Sequence, residues 1–222
     1  METSKEDSFL FLDLLTRERA LSFIAGLVLL GISFALDHLA SVYAFVYSSF
    51  DTTRHVGDLV LDNVPVVNLN FIIIQGALLT IILATLLVFS KPRYVLFSLK
   101  AVALFIAIRA FFISLTHIGI YPGQIVPGAG ILDSIYLYYN FQTGFFFSGH
   151  TGMTFLMGLI FWEKPLVRKL FFLASFIFAV AVLLAHIHYS IDVFAAPFMA
   201  YGIFKIARYL FPRDYALIES SP

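Results

Sequence analysis

The chain has no cysteine, one tryptophan and few charged residues, 13% of 222. Without cysteine there are no disulfides, thiolate nucleophiles or Cys-based metal sites. The charge is too sparse for a water-soluble domain, which carries about 25% charged and about 45–50% apolar residues. It is also balanced, 14 basic against 14 acidic residues, and no Lys/Arg run offers a nucleic-acid surface, so no nucleic-acid partner is expected. What is abundant is apolar surface: 60% hydrophobic residues, 26 of them Phe, and a mean hydropathy of +0.92. A chain this short cannot hide that excess in one core, so the bilayer must take it up.

A membrane span needs about 20 mostly apolar residues. Such runs lie at about 20–36, 69–89, 94–116 and 145–161. A last run, 169–210, would be about 63 Å long as one helix, twice the hydrocarbon thickness, so a reversal is expected at its polar stretch His186-Ile187-His188-Tyr189-Ser190. That turn contains neither Gly nor Pro. The expectation is an all-α polytopic membrane protein, a bundle of six transmembrane helices. Its division would be an interfacial, cytoplasmic segment 1–19, a membrane domain 20–210 and a cytoplasmic tail 211–222. The stretch Ser8 to Leu15 would lie along the inner interface. A cleaved signal peptide ending at Ser33-Phe34-Ala35 is the alternative for the first run.

Orientation follows from the retention of Lys and Arg on the cytoplasmic side. With both termini inside, Lys5, Arg17, Arg19, Lys91, Arg93, Lys164, Arg168, Lys169, Lys205, Arg208 and Arg213 share that side. Only Arg54 falls in an outer loop, and Lys100 and Arg109 lie within the third span. Outer loop one, about 37–68, carries Asp51, Asp58 and Asp62. Outer loop three, about 117–144, holds Pro122, Gly123, Pro127, Gly128 and Gly130, then Tyr136, Tyr138 and Tyr139, which suit an interfacial aromatic belt.

Ionisable groups at membrane depth cost about 2.5–3.5 kcal/mol each on insertion scales and call for a reason. Lys100 is near enough to the inner end to snorkel. Arg109 is deeper and needs an acidic partner or an anionic ligand. His150 falls at the start of the fourth span within Ser148-Gly149-His150-Thr151, where free N–H groups and hydroxyls suit a phosphate and the imidazole could protonate a leaving oxygen. His188 and Asp192, four apart, would share a helix face if the sixth span began before them; the carboxylate would then fix the imidazole tautomer. Arg109, His150, His188 and Asp192 all fall towards one side of the membrane, a set suited to phosphoryl transfer. A metal site built from His150, His186, His188 and Asp192 is the competing chemistry. His186 and His188 would point about 200° apart on a helix, which makes His186, like Tyr189, a candidate rim residue.

Phe147-Ser148-Gly149-His150-Thr151 and His186-Ile187-His188-Tyr189-Ser190-Ile191-Asp192-Val193 resemble the two best-marked motifs of the sphingomyelin synthases and their relatives, a branch of the type 2 phosphatidic acid phosphatase superfamily. The stretch Arg109 to Gly128, with Thr116 and Pro122-Gly123, is similar to that branch's third-span motif, and the resemblance covers about 59–210. It implies an integral-membrane lipid phosphotransferase with no cofactor and no metal, using His188 as nucleophile or activating base, Asp192 to orient it and His150 as the acid. Arg109, Ser148, Gly149 and Thr151 would hold the phosphate. A phosphorylated head group would pass through a phosphohistidine from a phospholipid donor to a lipid hydroxyl; with water as acceptor, the same site is a phosphatase or phospholipase C-like hydrolase. The chain departs from the branch at Gln142-Thr143-Gly144, at Asp62-Asn63-Val64-Pro65 and at Val182, where soluble-type phosphatases carry Arg. From another class, a lipid transporter or binding protein would keep the same polar cluster without turnover.

Overall fold

The computed structural model describes residues 16–48, 50, 54–126, 130, 131, 134 and 145–219. The interfacial segment expected at Ser8–Leu15, the belt residues Tyr136, Tyr138 and Tyr139, Asp51, and Gln142-Thr143-Gly144 lie outside the described residues. Within them the regular structure is helical throughout, with no strand. The helices are α1 (Arg17–Ser48), α2 (Ala77–Ser90), α3 (Pro92–Leu115), α4 (Gly149–Ile160), α5 (Pro165–Leu184), α6 (Ser190–Leu210) and α7 (Pro212–Glu219). A π-helical segment, Phe71–Gly76, leads into α2.

Among the described residues, five helices are long and apolar enough to cross a membrane: α1, the Phe71–Ser90 unit, α3, α5 and α6. The chain is thus a multi-pass integral membrane protein. The expected fourth span is only the 12 residues of α4, about 18 Å of helix. It is short because positive φ at Phe146 and Phe147 delays its start to Gly149 and Phe161 ends it. Most of its residues are buried against α5 and α6.

The first span is longer than the apolar run suggested. Its helix continues through Ser33-Phe34-Ala35 and Asp37 to Ser48, about 48 Å in all. The face it turns to α3 is made of Gly26, Ser33, Asp37, Ala40, Ser41 and Ala44. Small residues let two backbones approach in lipid, where there is little hydrophobic drive between helices. Gly26 shows the limit: a Cβ there would lie 3.2 Å from the Leu99 side chain. The opposite face of α1 exposes Leu21, Ile24, Val28, Ile32 and Phe34, as a lipid-facing surface should.

α3 is the most enclosed span. It contacts α1, α2, α4, α6 and α7. Its two cations are buried, and each meets an Asp. Lys100 does not snorkel to water. Its Nζ lies 2.6 Å from Asp214 Oδ2 on α7 and 2.6 Å from Ser22 Oγ on α1, so the 212–219 stretch forms a helix anchored back on the bundle.

The end of the bundle holding the two motifs carries a folded cap built from loops one and three. A helix C-terminus leaves its last carbonyls without helical partners. At α5 these are taken up by Val67 N to Leu184 O at 2.7 Å, from loop one, and Ile125 N to Ala185 O at 3.1 Å, from loop three. The opposite problem, free N–H groups at the start of α6, is met by Asp58: its Oδ2 accepts from Ser190 N at 2.7 Å, while Oδ1 accepts from Val60 and Leu61 N. Tyr121 Oη donates to Asp62, and Tyr189 Oη donates to Gly119 O at 2.7 Å. The rings of Tyr121, Tyr189 and Phe145 pack edge to face beneath these bonds.

Candidate active site

Helix α4 begins abruptly. Phe146 and Phe147 both take positive φ, 71° and 23°, a conformation that bulky residues adopt only when their surroundings impose it. Here those surroundings are aromatic. Phe147 is fully buried, edge to face with Phe105 at 5.3 Å. This kink presents Ser148 as the helix N-cap, and its Oγ accepts from Thr151 N at 3.4 Å. Thr151 Oγ1 is buried and has no hydrogen-bond partner among the described residues. A hydroxyl left unpaired at a helix start, where N–H groups also converge, is a ready donor for an anion. Gly152 lets α4 lie close to α3 and α6, since a Cβ there would sit 2.9 Å from the Phe105 ring and 3.5 Å from Ala196.

The turn between α5 and α6 falls at the predicted place, and His186 makes it possible by adopting φ 53°. The helix-face account of His188 and Asp192 needs correction, because α6 begins at Ser190, after His188. Tyr189 is the N-cap, and Asp192, in the first turn, reaches back so that Oδ2 accepts from Tyr189 N at 3.2 Å and lies 3.3 Å from His188 Nδ1. Helix capping, rather than i,i+4 spacing, brings the pair together. Both side chains are about 2% exposed, so water does not screen the contact.

One main-chain bond joins the two motifs: Ser148 N donates to Asp192 O at 3.0 Å. Arg109 lies over the same junction. Its Nε donates to Phe147 O at 3.3 Å and its NH1 meets Asp37 Oδ1 at 3.1 Å. A Cβ on Gly149 would stand 3.2 Å from Arg109 Nε, so glycine is what admits the guanidinium. His150 is near enough to feel the charges of both His188 and Arg109, and its ring hydrogen-bonds the main chain of Ile73. Phe178 lies beside it, with ring centroids 5.7 Å apart.

The structure therefore brings Arg109, Ser148, Gly149, His150, Thr151, His188 and Asp192 to one junction. It holds the two candidate rim residues differently: Tyr189 is a buried strut of the cap, and His186 packs its ring on Tyr121 at 5.2 Å. Among the described residues no three His, Asp or Glu side chains converge as metal ligands.

Three contributors were not singled out from the sequence. Asp37 looked like the start of a loop and gave no sign of facing Arg109. Ile73 is an ordinary apolar residue whose main chain reaches His150 from the π-helical segment, a distortion often found at functional positions. Asp58 was visible only as one of three acidic loop residues. It titrates below the ordinary carboxylate range: burial pushes it up, but the N–H groups of Ser190, Leu61 and Val60 together outweigh that.

Residues 143–209 match the family model described as PAP2 superfamily C-terminal. The matched segment contains both motifs and the bond between them. It supports placement in the type 2 phosphatidic acid phosphatase superfamily and an activity of the lipid phosphatase or phosphotransferase type, on lipid substrates in a bilayer. No curated protein matches the chain significantly.

Proposed function

We propose that the protein is a sphingomyelin synthase-like lipid phosphotransferase, and that the membrane domain 20–210 transfers a phosphorylated head group through a phosphohistidine. The observation that carries this reading is the Ser148 N to Asp192 O bond, which joins the motif of the acid to that of the nucleophile. Asp192 holds Nδ1–H of His188, leaving Nε2 to attack phosphorus. The bond from phosphorus to the diacylglycerol oxygen breaks, and His150 gives that oxygen its proton. In the second half, the hydroxyl of the acceptor lipid loses its proton to His150 and attacks the phosphohistidine, which restores His188. Arg109, the α4 N-terminus, Ser148 and Thr151 neutralise the equatorial oxygens throughout. No metal or cofactor takes part in this sequence. The excess of Lys and Arg on one side supports a reading with both termini in the cytoplasm and the site on the opposite face.

The test uses purified protein in mixed micelles with labelled phosphatidylcholine or phosphatidylethanolamine and either ceramide or diacylglycerol. Label should move to the acceptor, and His188→Ala should reduce transfer by at least about 10³-fold, as expected for loss of a nucleophile. Equal turnover by His188→Ala and wild type would sink the assignment. Release of water-soluble head group without transfer would instead mark a hydrolase at the same site.

A further inference from the structure

His186 is the one member of the α5–α6 turn that pays a conformational cost for its place. A non-glycine residue in the left-handed region costs about 1–2 kcal/mol, whereas Gly or Asn adopts it readily. Apart from Phe146 and Phe147, which introduce the other motif, His186 is the only described non-glycine residue with positive φ. Its ring is also 96% buried, by its 4% exposure, and fixed: Tyr121 packs against it, and Tyr121 is itself tied to Asp62. Nδ1 lies 3.4 Å from Pro122 O. A carbonyl can only accept, so Nδ1 carries the hydrogen, and Nε2 of the neutral ring holds a lone pair. Nε2 is buried with no hydrogen-bond partner among the described residues. A strained backbone and an unpaired acceptor at one position, two residues before His188, mark a place shaped for something other than the turn.

We infer that His186 Nε2 is a substrate contact, accepting a hydrogen bond from an O–H or N–H group of the lipid; this rests on the phosphotransfer reading of the neighbouring site. Two sources present such a group: the secondary hydroxyl or amide N–H of a ceramide acceptor, whose primary hydroxyl is the one that reacts, and the primary ammonium of an ethanolamine head group. The quaternary ammonium of choline has no N–H and cannot serve.

The test compares His186→Asn and His186→Gly with wild type. Both replacements suit the left-handed turn, so thermal stability should hold or rise, while kcat/KM should fall about three- to tenfold if a neutral group donates and more than about tenfold if the ammonium does. With ceramide as acceptor, a fall confined to phosphatidylethanolamine assigns the contact to the head group. An equal fall with phosphatidylcholine, accompanied by a higher KM for ceramide, assigns it to the non-reacting hydroxyl or amide N–H of the acceptor. Full turnover in the Gly variant on both donors, or a fall that only follows lost stability, overturns the inference and leaves the His188 chemistry intact. A second readout needs no turnover. In ring-¹⁵N-labelled His188→Ala protein, the Nε2 resonance of His186 should move on adding phosphatidylethanolamine or ceramide, and a resonance fixed against both also overturns it.

Discussion

Arg109 and Lys100 lie on one helix, about two and a half turns apart, are equally buried, and each meets an aspartate on another helix. The surroundings separate them. Lys100 closes a compact knot, with Asp214 and Ser22 both at 2.6 Å and the Phe211 ring 5.2 Å away. These partners belong to α1, α7 and the residue preceding α7. Arg109 makes longer contacts, 3.1 Å to Asp37 and 3.3 Å to the Phe147 carbonyl, and presses on the glycine that opens α4. A buried cation in a membrane helix is therefore not in itself a functional mark. Main-chain groups of a motif, held within reach of it, are.

Paired substitutions separate the two cations. Removing one partner of a buried ion pair costs about 3–5 kcal/mol, while replacing both with apolar residues is often neutral. Lys100→Met alone should lower stability by that amount, and adding Asp214→Leu should restore it, with activity per folded molecule unchanged. Arg109→Met with Asp37→Leu should likewise keep the fold, yet lose about 10²–10³-fold in kcat, as for a removed transition-state donor. Thermal unfolding and turnover measured on the same samples separate the two ends. Normal turnover in the Arg109/Asp37 double variant would make Arg109 as structural as Lys100.

Two glycines of α4 sharpen the same contrast at smaller scale. A Cβ on Gly158 would stand 2.5 Å from the Phe172 ring on α5, and one on Gly149 3.2 Å from Arg109 Nε. Overpacking of the first kind costs about 1–3 kcal/mol. Gly158→Ala should thus lower the melting temperature and leave the rate of the folded enzyme alone. Gly149→Ala should do the reverse, shifting the guanidinium by a few tenths of an ångström and reducing kcat about tenfold, the price of misplacing a positioning group. A Gly149→Ala enzyme with wild-type kcat would show that Arg109 need not touch the helix start.

Much of this arrangement was legible in the sequence because it depends on composition and on residue types rare in membranes. Hydropathy located the five long helices, and the polar interruption at 186–190 located the reversal. The motif residues around His150 and His188 stood out because ionisable groups in spans need reasons. What could not be read was partnership. Asp37 sits beyond the apolar run, and only the continued helix shows that it returns to Arg109. Lys100 had an escape to water by length alone, so its bond to Asp214, more than a hundred residues away, left no local trace. The His188–Asp192 spacing pointed to the right pair by the wrong geometry, since four residues can be bridged by a cap as well as by a helix face. The short α4 was hidden by a Phe-rich stretch whose kink comes from packing with Phe105.

The smallest expected effect distinguishes the cap from the helices beneath it. Tyr121 is pushed up to about 12, chiefly by its hydrogen bond to Asp62, and Asp58 is held below its ordinary range by three N–H groups that together outweigh the opposing effect of burial. The signs set a window. A phenol raised in the folded state stabilises fully below about pH 10, and that contribution disappears as pH rises towards 12. A lowered carboxylate stabilises above about pH 4, and its contribution is lost as pH falls through the depressed value. The cap should therefore loosen at both extremes while the helical body, held by apolar packing, persists. Absorbance of tyrosinate should include a phenol titrating near pH 12 that Tyr121→Phe removes. Limited proteolysis of loops one and three in the variant should rise modestly at neutral pH and no longer change between pH 10 and 12. Cleavage that still climbs over that interval in Tyr121→Phe would place the alkaline weak point outside the Tyr121–Asp62 contact.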